Sequence, residues 1–160
     1  MVRTYPNLYQ MRRLIFIYCC FCFLSGTAQE IEKEAVQRTI ETFFEGFHQQ
    51  DSTMLKDKVA PNVIMQTIGD KEGLTAVKQV DFNAFVSSIL KIADSVEFQE
   101  KILSYHIQID GPMAHVWTPY EFWYQGNLSH CGTNSFQLLR SDGQWKIIYI
   151  VDTRRKEGCD

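Results

Sequence analysis

Residues 113–153 read MAHVWTPYEFWYQGNLSHCGTNSFQLLRSDGQWKIIYIVDT. Three runs rich in aromatic and β-branched residues, 113–124, 128–140 and 145–153, are separated by Gln125-Gly126-Asn127 and Ser141-Asp142-Gly143. Both separators are turn material, so the stretch predicts an antiparallel meander. A further run, 96–109, precedes it across Asp110-Gly111-Pro112 and adds a fourth strand.

Upstream the periodicity changes. Ile31, Ala35, Val36, Ile40, Phe43, Phe44 and Phe47 recur at helical spacing, with Glu32, Gln37, Arg38, Glu41 and Glu45 between them. This predicts a long amphipathic helix over 30–50. Asp51-Ser52 caps a short second helix through 59, stopped by Pro61-Asn62; a strand over 63–68 and a polar loop over 69–73 follow. Asp81 caps a third helix in which Phe82, Phe85, Val86, Ile89 and Leu90 repeat. Helices first and a meander last give an α+β class: three N-terminal helices packed on a curved, mainly antiparallel sheet.

The chain has 160 residues, 45% hydrophobic and 13% aromatic, with a formal net charge of -3. That excludes a disordered chain and gives no attraction for nucleic acid. Residues 1–28 read as a signal peptide, with a probable start at Met11: Met11-Arg12-Arg13, then LIFIYCCFCFL over 14–24, then Ser25-Gly26-Thr27-Ala28 before Gln29. The apolar run falls short of the ~20 residues that span a bilayer. An exported protein, periplasmic or secreted, is therefore expected, with no membrane partner after cleavage. Cleavage removes three arginines and no acid, so the domain over 29–160 is more acidic than the whole. It also removes Cys19, Cys20 and Cys22, leaving Cys131 and Cys159.

The order of a long helix, a short helix, a strand, a third helix and four antiparallel strands resembles the cone-shaped domain of the nuclear transport factor 2-like superfamily. Ketosteroid isomerase, scytalone dehydratase and many SnoaL-like polyketide cyclases belong to it. TPYEFWYQGNLSHCGTNSFQLL over 118–139 and GQWKIIYIVDTRRKEGC over 143–159 look more narrowly like exported bacterial members of its lumazine-binding-like branch. The resemblance implies a small-molecule pocket without specifying a reaction, and dimerisation through the outer face of the sheet.

His130 and Cys131 are neighbours on a strand and point to opposite faces, so they form neither a base–nucleophile pair nor a joint metal site. His106 and His115 lie on adjacent strands without a third ligand, and no metal or other cofactor is expected. A three-residue loop Ser141-Asp142-Gly143 pairs Arg140 with Gln144. His130 then falls opposite Arg154, Gly132 opposite Asp152 and Asn134 opposite Ile150, so that His130, Asn134, Phe136, Asp152 and Arg154 share one face. A two-residue Asp-Gly loop instead shifts the register by one and moves Asp152 and Arg154 away from His130. The candidate pocket is Tyr120, Glu121, His130, Asn134, Asp152 and Arg154, with Tyr105 nearby. Pro119 is expected to make a bulge, which leaves open whether Tyr120 or Glu121 faces inward.

Two function classes follow. One is a homodimeric binding domain for a small, heteroaromatic molecule. The other is an acid–base enzyme of isomerase, dehydratase or cyclase type, in which Asp152 or His130 moves a proton and Tyr120 or Arg154 stabilises an oxyanion. An aspartate paired with an arginine makes a poorer base. The dimer expectation rests on Trp145, Ile147, Tyr149 and Val151 alternating with Ile148 and Ile150, which leaves neither sheet face plainly solvated; Trp117, Trp123 and Trp145 are assigned to core or interface. Cys131 and Cys159 are an even pair for an oxidising compartment, either bridged, if the chain turns back after Arg155, or free.

Overall fold

A computed structural model describes residues 29–71 and 74–159; the signal segment lies outside them. The chain divides into two units, Met1–Glu34 and Ala35–Asp160. In the first, residues 29–34 are helical and Lys33 pairs with Glu30 at 2.9 Å. All that follows concerns the second.

Residues 35–48 form α1, Ser52–Asp57 α2 and Phe82–Ile89 α3. Both short helices start where an aspartate satisfies free N–H groups: Asp51 accepts from Thr53 and Met54, and Asp81 accepts from Ala84. The strands are β1 (Val59–Lys71), β2 (Leu74–Val80), β3 (Phe98–Ile102), β4 (His106–Asp110), β5 (Met113–Tyr124), β6 (Asn127–Ser141) and β7 (Gln144–Arg155). They form one sheet in the order β2-β1-β7-β6-β5-β3, with β4 also on β5. The β1–β7 pair is parallel and the other pairs are antiparallel. No helix among the described residues is long and apolar enough to cross a membrane.

Several local expectations change. The second helix ends at Asp57, and β1 begins at Val59, taking in Pro61 and Asn62 where its register on β7 shifts. The loop assigned to 69–73 is narrower, because β1 continues to Lys71 and pairs with β2, a strand the sequence reading lacked. The run 96–109 is two strands, since the chain leaves β5 at Leu103-Ser104-Tyr105. Pro119 faces that gap and pairs regularly with Thr133, so it makes no bulge. Its carbonyl accepts from Leu103 N at 2.9 Å, and its missing N–H costs nothing at a gap in the ladder. The bulge in this hairpin lies further on, between Phe122 and Trp123.

The β6–β7 turn is the two-residue form. Ser141 pairs with Gln144, and Asp142 and Gly143 have φ of 52° and 76°, the backbone of the tight hairpin turn that Asp-Gly favours. A bulge between Gln137 and Leu138 then shifts the register once more. Asn134 therefore lies opposite Asp152, Gly132 opposite Arg154 and Cys131 opposite Arg155. The two shifts of one residue restore the face, because side chains alternate with period two.

The core lies between the helices and the inner face of the sheet. Val36, Ile40, Phe43, Phe44 and Phe47 of α1 pack with Val116, Phe136, Leu138, Trp145, Ile147 and Ile150. Trp145 is thus a core residue, whereas Trp117 on the outer face is 47% exposed.

Candidate functional site

Between α1, α3 and the inner face of the sheet the core is incomplete, leaving a cavity of about 300 Å³. Its walls are mostly aromatic: Phe43, Phe44 and Phe47 from α1, Phe85 from α3, and Phe122 and Phe136 from the sheet. Its polar end is built by four strands. Glu100 comes from β3, Tyr120 from β5, His130 and Asn134 from β6, and Asp152 and Arg154 from β7. The register explains the convergence. Glu100, Phe122 and His130 form one row across the sheet; Ile102, Tyr120, Gly132 and Arg154 form the next; Thr118, Asn134 and Asp152 form a third.

Two hydrogen-bonded groups sit side by side here. In the first, Arg154 Nε donates to Asp152 Oδ2 at 2.7 Å, and the Tyr120 hydroxyl donates to Thr153 O at 3.0 Å, with Asp152 Oδ2 at 3.4 Å. Asp152 is therefore neutralised in place. Tyr120 is 1% exposed, and burial, followed by the Glu100 and Asp152 carboxylates, pushes its hydroxyl pKa well above the usual phenol range. In the second group, Asn134 Nδ2 donates to Glu100 Oε1 at 2.7 Å. Glu100 meets a neutral amide where Asp152 meets a cation. Burial pushes its carboxyl pKa up to about 7, and the Asp152 charge adds to the rise; the Asn134 hydrogen bond and the more distant Arg154 oppose it. Glu100 is partly exposed and lines the cavity.

The aromatic contacts fix His130. Its ring stacks on Phe122 with centroids 4.9 Å apart and meets Tyr120 edge-on at 5.9 Å. Burial, then the Arg154 charge, lowers its pKa, which favours the neutral ring. Glu100 is anchored from behind: its backbone N–H donates to His48 Nε2 at 2.9 Å. That bond requires a neutral His48, and burial lowers the His48 pKa accordingly.

Of the residues read as a pocket, Tyr120, His130, Asn134, Asp152 and Arg154 line the cavity. Glu121 does not. It points to the outer face, where its Oε2 accepts from Trp123 Nε1 at 2.8 Å, because Tyr120 takes the inward phase of β5. Tyr105 packs against the core beside the break between β3 and β4. His106 and His115 are not opposite each other: His106 faces Trp117 and His115 faces Gln108. Glu100 and His48 are not among the site residues that the sequence suggests. The signal for Glu100 is faint but legible: in Phe98-Gln99-Glu100-Lys101-Ile102 a carboxylate occupies the same alternating phase as two apolar residues.

Cys131 and Cys159 are bridged, with their Cα atoms 5.6 Å apart. The chain turns back after Arg155, whose Nε donates to Gly158 O at 3.2 Å. A larger groove of about 670 Å³ is lined by His48, Gln50, Phe98, Gln99, Lys101 and Trp123 among others. Lys101 Nζ already covers that indole at 4.3 Å. The smaller cavity is where apolar walls and convergent polar groups coincide.

The model of the family described as putative lumazine-binding matches residues 31–151. No curated protein matches. Among solved structures the chain is similar to an NTF2-like protein of unknown function from Shewanella baltica, at 16% identity over 79% of this chain and 95% of that one, with a TM-score of 0.58. It is also similar to a protein of unknown function from Mycobacterium tuberculosis (16% identity, 83% and 77% covered, TM-score 0.65). A third is titled a putative dehydratase from the NTF2-like family, from Streptomyces avermitilis (14% identity, 79% and 98% covered, TM-score 0.61). At such identities these structures speak to the fold alone. The family match covers most of the chain, which therefore belongs to the family described as putative lumazine-binding, and its fold is that of the NTF2-like structures.

Proposed function

We propose that the chain is an exported, homodimeric domain that binds a small, flat, largely apolar molecule of heteroaromatic type. Its ring would lie among the phenylalanines and its polar edge against Glu100, Asn134, Asp152 and Arg154. The observation that carries this reading is the cavity itself. At about 300 Å³ it is lined mainly by apolar side chains, with a cluster of polar groups among them, at the lower bound of small-molecule sites, roughly 300–1,000 Å³. That size favours a bicyclic ring over a steroid or an intact flavin. Export rests on the basic and then apolar segment before Gln29, and the dimer on Met113, Trp117 and Leu139, all exposed on neighbouring strands β5 and β6.

A thermal-shift screen of pterins, flavins, steroids and aromatic acids tests the reading. Ser88 is exposed and lines the cavity, so Ser88→Trp should close it without disturbing the core. Bicyclic ligands should stabilise the wild type and not this variant. Hits that persist unchanged in Ser88→Trp would place binding elsewhere.

An acid–base enzyme is the second reading, and Glu100 is what favours it. A carboxyl that titrates near neutrality beside a substrate-sized cavity suits proton transfer better than Asp152, which is held by Arg154. On this reading Glu100 carries the proton, while the Tyr120 hydroxyl is spent on Thr153 O. Solvent-deuterium incorporation into a bound carbonyl compound, lost in Glu100→Gln, is the expected result; exchange retained in that variant would exclude Glu100 as the proton carrier.

A further inference from the structure

The charges around the cavity do not balance. Its ionisable lining groups are Glu100, Tyr120, His130, Asp152 and Arg154. Tyr120 and His130 are held neutral by their surroundings. Asp152 and Arg154 cancel each other at 2.7 Å. His48, on the α1 side, spends its Nε2 on the Glu100 backbone N–H and also stays neutral. Glu100 remains, a carboxylate met by the amide of Asn134 and open toward the cavity. Arg154 does not offset this for a ligand. Its side chain is 58% exposed, so the outward part of its charge is screened by water, whereas Glu100 is only partly exposed and lines the aromatic-walled cavity.

We propose that the cavity selects a cationic nitrogen compound, a planar ring bearing an amidine or similarly basic amine whose N–H edge sits on the Glu100 carboxylate, and that it discriminates against carboxylates. This deepens the small-molecule reading and rests on it. The Glu100 and Asn134 side chains form a matched edge. The carboxylate accepts from the ligand N–H groups, and Asn134, already donating to Oε1, holds that oxygen in place. In the empty site a proton on Glu100 does what the ligand cation does in the full one. Binding of a cation is therefore coupled to loss of that proton.

Three size-matched probes of different charge test the proposal by titration calorimetry: benzamidine, benzamide and benzoate. At about pH 8 benzamidine should bind at least about tenfold more tightly than benzamide, and benzoate most weakly. Between about pH 6 and pH 8 benzamidine binding should strengthen and benzamide binding should not. Glu100→Gln keeps the shape and an acceptor for Asn134; it should erase the preference for benzamidine while retaining benzamide. Equal binding of all three probes, or benzoate binding as tightly as benzamidine, would overturn the charge assignment and leave the pocket standing. Absence of binding by every probe at millimolar concentration would overturn the pocket reading and this one together.

Discussion

Tyr120 lies across Gly132. The two residues pair between β5 and β6, and a Cβ built on Gly132 would come within 2.8 Å of the Tyr120 ring and 1.8 Å of Thr153 O. Only a residue without a side chain lets the ring cross β6 and place its hydroxyl on Thr153 O and near Asp152. Gly132→Ala should therefore cost about 2–4 kcal/mol, as overpacking against backbone does. Tyr120→Phe, which gives up one hydrogen bond, should cost about 1 kcal/mol. Denaturant unfolding checks both, and a Gly132→Ala variant as stable as the wild type would contradict the packing described.

Glu100 and His48 should pull stability in opposite directions as pH changes. The Glu100 carboxyl pKa rises from 4.5 to about 7 on folding. Its contribution is complete below about pH 4.5 and is lost as pH rises through 7, about 3 kcal/mol in all. His48 has the opposite sign. Its folded pKa lies below 6.5, so its contribution is complete above pH 6.5 and is lost as pH falls toward the lowered value. Glu100→Gln should melt higher than the wild type at about pH 8 and similarly at pH 4.5. His48→Gln keeps an acceptor for the Glu100 N–H and should blunt the acid loss. Identical pH–melting curves for wild type and Glu100→Gln would show that Glu100 ionises without penalty.

Much of this site is legible in the sequence, and the reasons for the rest are physical. The alternation in β5, β6 and β7 places Tyr120, His130, Asn134, Asp152 and Arg154 on one face. The register that justified it is off by two residues: the two-residue Asp142-Gly143 turn supplies one and the bulge at Ile148 the other. Turn chemistry alone identifies the first. A bulge leaves no compositional mark in Lys146-Ile147-Ile148-Tyr149, so the second is not readable. The missed strand β2 has a different cause: Leu74, Val77 and most of its neighbours are exposed, so it shows no burial period and is held by its ladder to β1. Glu100 was hidden because 96–109 reads as one continuous strand, and the break at Leu103-Ser104-Tyr105 depends on where Pro119 falls opposite.

The Cys131–Cys159 bridge ties the chain end to β6 next to His130. With its cysteines 28 positions apart in sequence, its removal in a Cys131→Ser, Cys159→Ser double variant should cost about 3 kcal/mol. Intact mass after alkylation without reductant, under denaturing conditions, should show no added groups, and two after reduction. Two groups added before reduction would mean that both thiols are free.

The outer face of the sheet carries Trp117 with Met113 and Leu139 exposed nearby on β5 and β6. Light scattering at micromolar concentration should give a dimer, and Trp117→Glu should shift it to monomer with the melting temperature of the isolated fold retained. A wild-type monomer across that range would remove the basis for an interface there.

The central claim is that Glu100, at the polar end of the phenylalanine-lined cavity, is the group a ligand meets. Carbon-13 NMR titration of the glutamate side-chain carboxyls, assigned through Glu100→Gln, measures it directly. The account predicts a Glu100 midpoint at about 7 in the free protein, and a midpoint moved down when benzamidine is bound, since the cation favours the carboxylate. A midpoint at the ordinary 4.5, unchanged by saturating probe, would contradict it.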